Sequence, residues 1–250
     1  MQTRENIDIK RVIDRFDRLM NASDFEEAER HLIYWMNEAK DMGDDRSLFS
    51  VINEMTGFYR MRGDRKNAFD AVEKLKRLTS QTDKFGNIEK ATAYLNCATV
   101  YNSFKEPLEA LKLYEQAEKI YLENLDSNDE RLAGLFNNTA LAHLALKEYE
   151  KAKDYFEKAM TVLDQNTGKE NEKAITCLNM ADLTEEQMGP EEGEEEILKL
   201  LDKAVGYLDI ACKGDYYEYK MTAEKCIPAF KRYGYFMYAM ELEKRIGDGK

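Results

Sequence analysis

The chain has 250 residues and carries 37 Lys plus Arg against 49 Asp plus Glu, a formal net charge of −12. A surface this acidic opposes nonspecific attraction to nucleic acid or anionic membrane, both of which need a basic face. With only 3 prolines and 13 glycines among many Ala, Leu, Glu, Lys and Met residues, the composition favours long helices. The opening "MQTRENIDIKR" lacks the apolar stretch of a secretory signal, and apolar runs such as "LIYWM" are far too short for a membrane span. Cys97, Cys177, Cys212 and Cys226 are dispersed without a CxxC pair, which reads as free thiols in a reducing cytoplasm.

In chain order, "IDIKRVIDRFDRLM" predicts a first helix with Ile9, Val12, Phe16 and Leu19 on one stripe. Lys10, Arg11, Asp14, Asp17 and Arg18 cover much of the remainder, as on the polar outer face of a terminal repeat. "DFEEAERHL" predicts the second helix, a segment from about Phe49 the third, and "RKNAFDAV" the fourth. From there the chain repeats itself at a period near 42 residues. "ATAYLNCATVY" from Ala91 aligns with "AGLFNNTALAH" from Ala133 and "AITCLNMADLT" from Ala174. Each has Asn at its sixth place (Asn96, Asn138, Asn179) and Ala at its eighth (Ala98, Ala140, Ala181). The following segments, "EPLEALKLYEQAE" and "EYEKAKDYFEKAM", set Ala110, Tyr114 and Ala117 against Ala152, Phe156 and Ala159. The i, i+4, i+7 spacing puts each trio on one helical face, where Ala lets two helices approach and an aromatic ring fills the space beside the crossing. A third copy is degenerate, with Ile197, Leu201 and Ala204. Ala28, Ala68 and Ala239 extend the frame in both directions, giving helix pairs near 5–43, 45–82, 88–125, 129–166, 170–211 and 215–247 in one array over 1–250. Ser23-x-x-Glu26, Ser127-x-x-Glu130 and Thr167-x-x-Glu170 read as capping boxes, and Pro107 as the first turn of a second helix.

This pattern resembles the tetratricopeptide repeat. Tyr94, Ala98, Tyr101, Ala110, Tyr114 and Ala117 fit all six of its signature positions; Phe136, Ala140, Ala152, Phe156 and Ala159 fit five, with His143 departing. The resemblance implies an all-α fold, a right-handed superhelical solenoid of about six helix pairs. The long period is similar to that of kinesin light chain and of bacterial peptide-sensing regulators. In such solenoids the first helices line a concave groove, and those relatives use asparagines to hold peptide backbone. Carried onto this chain, the resemblance implies a peptide groove formed by Asn53, Thr92, Asn96, Thr99, Asn102, Asn137, Asn138, Asn179 and Asp182. An Asn carries donors and an acceptor on one planar group, which suits it to a peptide amide. The two-carboxylate clamp of chaperone-binding relatives needs Lys and Arg where this chain has Thr92, Gly134, Leu141 and Asp182, so an acidic C-terminal tail is not expected in that groove.

The chemistry of catalysis is not visible. His31 and His143 stand apart, no His/Cys set has metal-ligand spacing, and the terminal "GDGK" lacks the strand and helix of a phosphate loop. A noncatalytic interaction module without metal or cofactor is expected, with a protein or peptide as its partner. The acidic run "EEQMGPEEGEEEI" reads as a solvated turn in the fifth pair, about four residues longer than its neighbours, or as a docking point for a basic segment. In the last helix Tyr235, Phe236, Met237, Tyr238, Met240 and Leu242 fall nearly all round its first two turns. Tyr235, Phe236, Met237 and Met240 are therefore a candidate end interface, with two-fold homodimerisation as the alternative mode of action.

Overall fold

A computed structural model describes residues 7–81 and 84–247. Among these residues there are twelve helices and no strand. They are α1 (Ile9–Asn21), α2 (Phe25–Met42), α3 (Asp45–Met61), α4 (Arg65–Gln81), α5 (Asn87–Ser103), α6 (Pro107–Asn124), α7 (Glu130–Ala145), α8 (Tyr149–Asp164), α9 (Glu170–Met188), α10 (Glu194–Ala211), α11 (Tyr216–Arg232) and α12 (Phe236–Gly247). Two compact units result, Met1–Asn124 with α1 to α6 and Leu125–Lys250 with α7 to α12. In the first unit each helix packs on the next, and α1, α3 and α5 also touch one another in sequence. The second unit repeats this arrangement, with α7 on α9 and α9 on α11.

A recurrent turn explains the hairpins. In five of the pairs three residues join the helices, and the middle one adopts a left-handed backbone: Ser23, Gly63, Lys105, Lys147 and Gly234. The residue after it returns its N–H to a carbonyl five positions back, from Asp24 to Leu19, Asp64 to Tyr59, Glu106 to Tyr101, Glu148 to His143 and Tyr235 to Phe230, at 2.8–3.0 Å. This closes the free carbonyls of one helix while starting the next. It also corrects the predicted caps. Ser23 occupies the left-handed position, so Asp24 becomes the cap of α2 and accepts from the Glu27 N–H at 3.2 Å. Asp129, not Ser127, caps α7 through the Arg131 N–H at 3.0 Å, and Lys169, not Thr167, holds the cap position of α9 without a side-chain bond. Pro107 is the first residue of α6, as its fixed φ favours.

The columns of small and aromatic residues form the core. Ala28, Ala68, Ala98, Ala110, Ala140, Ala152, Ala181 and Ala239 are fully buried, as are Tyr114 and Phe156 beside them. Ile197 takes the Ala place in the fifth pair and is buried too. Each such ring contributes about 1.5–3 kcal/mol by leaving water. In the second unit one cluster runs from Ala174 through Leu201, Tyr219 and Phe230 to Leu242.

The fifth pair is the exception to the short turn. Its connection, Gly189 to Gly193, has five residues, two more than its neighbours rather than four, because the acidic run is mostly helical. Glu194, Glu195 and Glu196 form the first turn of α10, where carboxylates face the positive end of the helix dipole. Gly193 is confined: a Cβ there would lie 2.9 Å from the Gly189 carbonyl oxygen and 3.1 Å from Thr184.

Candidate functional site

The odd-numbered helices bear the asparagines, which do not act as one column. The Asn96 side-chain amide on α5 donates to the Asn53 carbonyl oxygen on α3 at 2.8 Å. In the second unit Asn179 on α9 donates to Asn137 on α7 at 3.1 Å. Both bonds join the sixth place of one repeat to the fifth place of the repeat before it. Each pair therefore uses one donor and one acceptor internally. It leaves a carbonyl oxygen on Asn96 or Asn179 and at least one amide hydrogen on Asn53 or Asn137, all on half-buried residues. Asn138 is half-buried and makes no side-chain hydrogen bond among the described residues; Asn102 is half-buried near the end of α5.

The two threonines have another task. The Thr92 hydroxyl gives its proton to the Ile88 carbonyl at 3.0 Å and so accepts from the Tyr121 hydroxyl of α6 at 2.8 Å. Thr99 likewise donates to the Leu95 carbonyl at 2.9 Å and accepts from Tyr114 at 3.4 Å. Burial pushes the Tyr114 phenol up to about 12, and the threonine meets part of its hydrogen-bonding need. These hydroxyls anchor tyrosines of the partner helix and have little capacity left for a ligand.

Around the Asn53–Asn96 pair the charges are unbalanced. Burial first, then the nearby charge of Asp17 on α1, holds the Glu54 carboxyl above its ordinary range, opposed by a hydrogen bond from Asn53. Asp17, largely solvent-exposed, is raised by partial burial and by Asp14. Neither carboxylate has an ion-pair partner among the described residues. Arg60, at the far end of α3, is half-buried beside Tyr114, and burial lowers its pKa. These residues lie outside the predicted set, although reading the repeat frame back from Asn53 would have placed Asp17 and Glu54 in groove positions.

Around Asn137–Asn179 the charges are satisfied. Asp182, a predicted groove residue, is held by Arg232 and accepts from the Tyr233 hydroxyl at 2.9 Å, which also reaches Glu185 at 2.9 Å. Burial raises Asp182, and the tyrosine and arginine oppose that rise. The clamp ties α9 to the end of α11. A cleft of about 370 Å³ opens between α7 and α9, lined by Gly134, Asn137, Ile175 and Thr176 with Glu130 and Lys169, which form an ion pair, at its edge. A Cβ on Gly134 would meet nothing within 4 Å, so the backbone there is open to an incoming group.

The end helix divides. Tyr235 is half-buried, with its hydroxyl donating to Asp202 at 2.8 Å and its ring 6.0 Å from that of Phe230. It leaves the predicted interface because its ring covers the core. Phe236, Met237 and Met240 are exposed at 60%, 80% and 61%.

Both histidines and three of the four cysteines sit in hydrogen-bonded or packed places. His143 bridges the α7–α8 turn to Glu148 at 2.6 Å and stacks on Tyr155, while buried His31 donates Nε2–H to the Val12 carbonyl at 2.9 Å. Cys97, Cys177 and Cys226 are buried free thiols, which burial pushes up to about 12, 11 and 12. Among the described residues no group of three or more His, Cys, Asp or Glu is arranged to hold a metal ion, and no helix is long and apolar enough to cross a membrane.

No family model and no curated protein sequence matches the chain. Solved structures do. BtubC (BKLC) from P. vanneervenii superposes with a TM-score of 0.57 at 19% identity, covering 97% of this chain and 91% of its own. A Podospora anserina protein of nearly identical, kinesin-light-chain TPR-like repeats gives 0.54 at 17%, covering 79% and 92%. MamA gives 0.50 at 16%, covering 80% and 97%. The fold is that of tetratricopeptide-repeat solenoids.

Proposed function

We propose that the chain is a noncatalytic protein-interaction module that holds an extended peptide on the odd-helix face of each unit. The observation that carries the reading is the repeated amide pair, Asn53–Asn96 and Asn137–Asn179. Each pair presents a donor and an acceptor together, the complement of a peptide N–H and C=O in extended chain. In the first unit Asp17 and Glu54 lie beside the pair without a cation, which favours a basic side chain in the bound segment. In the second unit the cleft beside Gly134 gives room for a side chain, and the satisfied clamp at Asp182 favours a neutral one.

Peptides selected from a random library on the whole chain test this. Selected sequences should bind Asn53→Ala or Asn137→Ala at least about five-fold more weakly, since removing one partner of a hydrogen bond costs about 1–3 kcal/mol. Unchanged affinity in both variants would end the proposal.

A second reading rests on α12. Phe236, Met237 and Met240 form an exposed apolar face, and such faces mark interfaces. Under it the chain acts by assembling with a second copy, and sedimentation would show a concentration-dependent dimer that Met237→Glu abolishes.

A further inference from the structure

We propose that the cleft between α1 and α2 is a second recognition site, which takes a carboxylate-rich segment of a partner protein. The cleft has a volume of about 650 Å³, well within the range of ligand pockets. Arg11, Arg15 and Arg18 line one wall. Their 4 and 3 residue spacing sets them on one face of α1. His31, Trp35 and Glu38 of α2 line the other wall.

The charges in the cleft do not cancel. Three guanidinium groups meet two carboxylates, Glu38 and Asp8, and one oxygen of Asp8 already caps α1 through the Arg11 N–H at 3.2 Å. Arg15 reaches Glu27 at 3.3 Å, but Arg30 holds that same carboxylate at 2.7 Å. Arg11 and Arg18 have no ion-pair partner among the described residues.

The walls are built rather than incidental. The bond from His31 to the Val12 carbonyl ties α2 to α1, and Trp35 packs edge-on to His31 at 6.3 Å between ring centres. Trp35 is half-buried and gives the cleft an apolar surface between the cations.

Arginine forks grip carboxylates through two parallel hydrogen bonds. At a rise of ~1.5 Å per residue, Arg11 to Arg18 spread over about 10 Å, roughly the length of three residues of extended chain. A peptide with carboxylates on nearby residues therefore spans the row. The net charge of −12 and the two carboxylates in the cleft disfavour a nucleic acid or an anionic membrane, both of which would bring long-range repulsion over a wide surface. A short acidic segment is opposed less, because screening confines the interaction to about 8 Å at physiological salt. Among the described residues none of the three arginines shares a hydrogen bond with the asparagines of either pair, so this site stands or falls independently of the peptide groove.

The test is fluorescence anisotropy with two labelled probes, one containing six consecutive Glu and one containing six Gln, titrated with the whole chain at 20 and 200 mM salt. The Glu probe should bind, and the Gln probe should bind at least ten-fold more weakly. The Arg11→Gln/Arg15→Gln/Arg18→Gln variant should lose at least ten-fold, and added salt should weaken wild-type binding several-fold. The Lys66→Gln/Lys119→Gln/Lys153→Gln variant carries the same net charge and should bind the Glu probe like wild type. Equal binding by the two triple variants, or no binding of the Glu probe by folded wild type, would overturn the proposal. Sedimentation at 20 mM salt separates the source of the segment. Wild type should not self-associate through this cleft. Self-association that the arginine variant abolishes would place the Glu191–Glu196 stretch of a second copy there and overturn assignment to a partner.

Discussion

The two units carry the same amide–amide hydrogen bond in different electrical settings. Asn53–Asn96 in the first unit and Asn137–Asn179 in the second connect equivalent places of successive repeats. Beside the first pair, burial and the charge of Asp17 raise the cost of ionising Glu54, and neither carboxylate has an ion-pair partner among the described residues. Beside the second, Asp182 and Glu185 are met by Arg232 and Tyr233. Stacking geometry thus fixes where the amides meet, while the residues at neighbouring groove positions decide what charge each surface wants. A repeat frame supplies the holder, and substitutions outside its signature supply the preference.

The comparison breaks first if the cores are not equivalent. Tyr114→Ala in the first unit and Phe156→Ala in the second remove fully buried rings from the same repeat position. Each should cost about 3–5 kcal/mol by urea denaturation; a cost under about 1 kcal/mol in either would show that the column does not carry that unit.

Arg232→Gln should turn the second unit into a likeness of the first. It leaves Asp182 half-buried beside Glu185 and should cost about 1 kcal/mol at pH 7, the scale of a partly exposed ion pair. The folded-state pKa of Asp182 is already raised, chiefly by burial, and losing the arginine raises it further. The folded state then binds protons more readily than the unfolded chain, so the deficit is full above the folded pKa and shrinks as pH falls into the carboxylate range. A deficit that grows on acidification contradicts the assignment.

Glu54→Gln should act in the opposite sense. Its carboxyl is also raised in the folded state, so ionised Glu54 weakens the fold at neutral pH and protonation relieves it. The variant should melt about 2 °C higher at pH 7 and match wild type near pH 4. A lower melting temperature at pH 7 would mean that Glu54 has a stabilising partner.

The smallest effect should be shared by both units. Lys105 and Lys147 hold left-handed conformations in which a side chain is strained, with φ of 63° and 59°. Lys105→Gly and Lys147→Gly should each stabilise by about 0.5 kcal/mol, the strain relief being partly offset by the entropy that glycine adds to the unfolded chain. Differential scanning calorimetry of the two variants would reveal any inequality between the turns.

The fold was legible because close packing writes a period into the chain. Only small residues fit at Ala110 and Ala152, and those positions stay recognisable where neighbouring residues drift. The caps were less so, since Ser23 and Asp24 suit either role until the left-handed turn assigns them. The asparagines were visible as equivalent residues, yet bonding from Asn96 to Asn53 depends on the offset between stacked repeats, which spacing alone leaves open. Thr92 and Thr99 stood in groove positions, but tyrosines arriving from α6 occupy their hydroxyls. Asp17 and Glu54 fall in groove positions of the two weakest repeats, legible only by carrying the frame back from Asn53, and their burial and mutual nearness depend on how α1 packs on α3. Tyr235 counted as apolar by type, while its hydroxyl has a carboxylate partner far along the chain.

The most direct measurement of the central claim is the response of the asparagine side-chain amides in ¹⁵N spectra of the whole chain, titrated with a library-selected peptide. The account predicts saturable shifts for Asn53 and Asn96, or for Asn137 and Asn179, each member of a pair moving at the same peptide concentration. Saturable shifts confined to α12 or to the α1–α2 cleft, with all four amides unmoved, would contradict it.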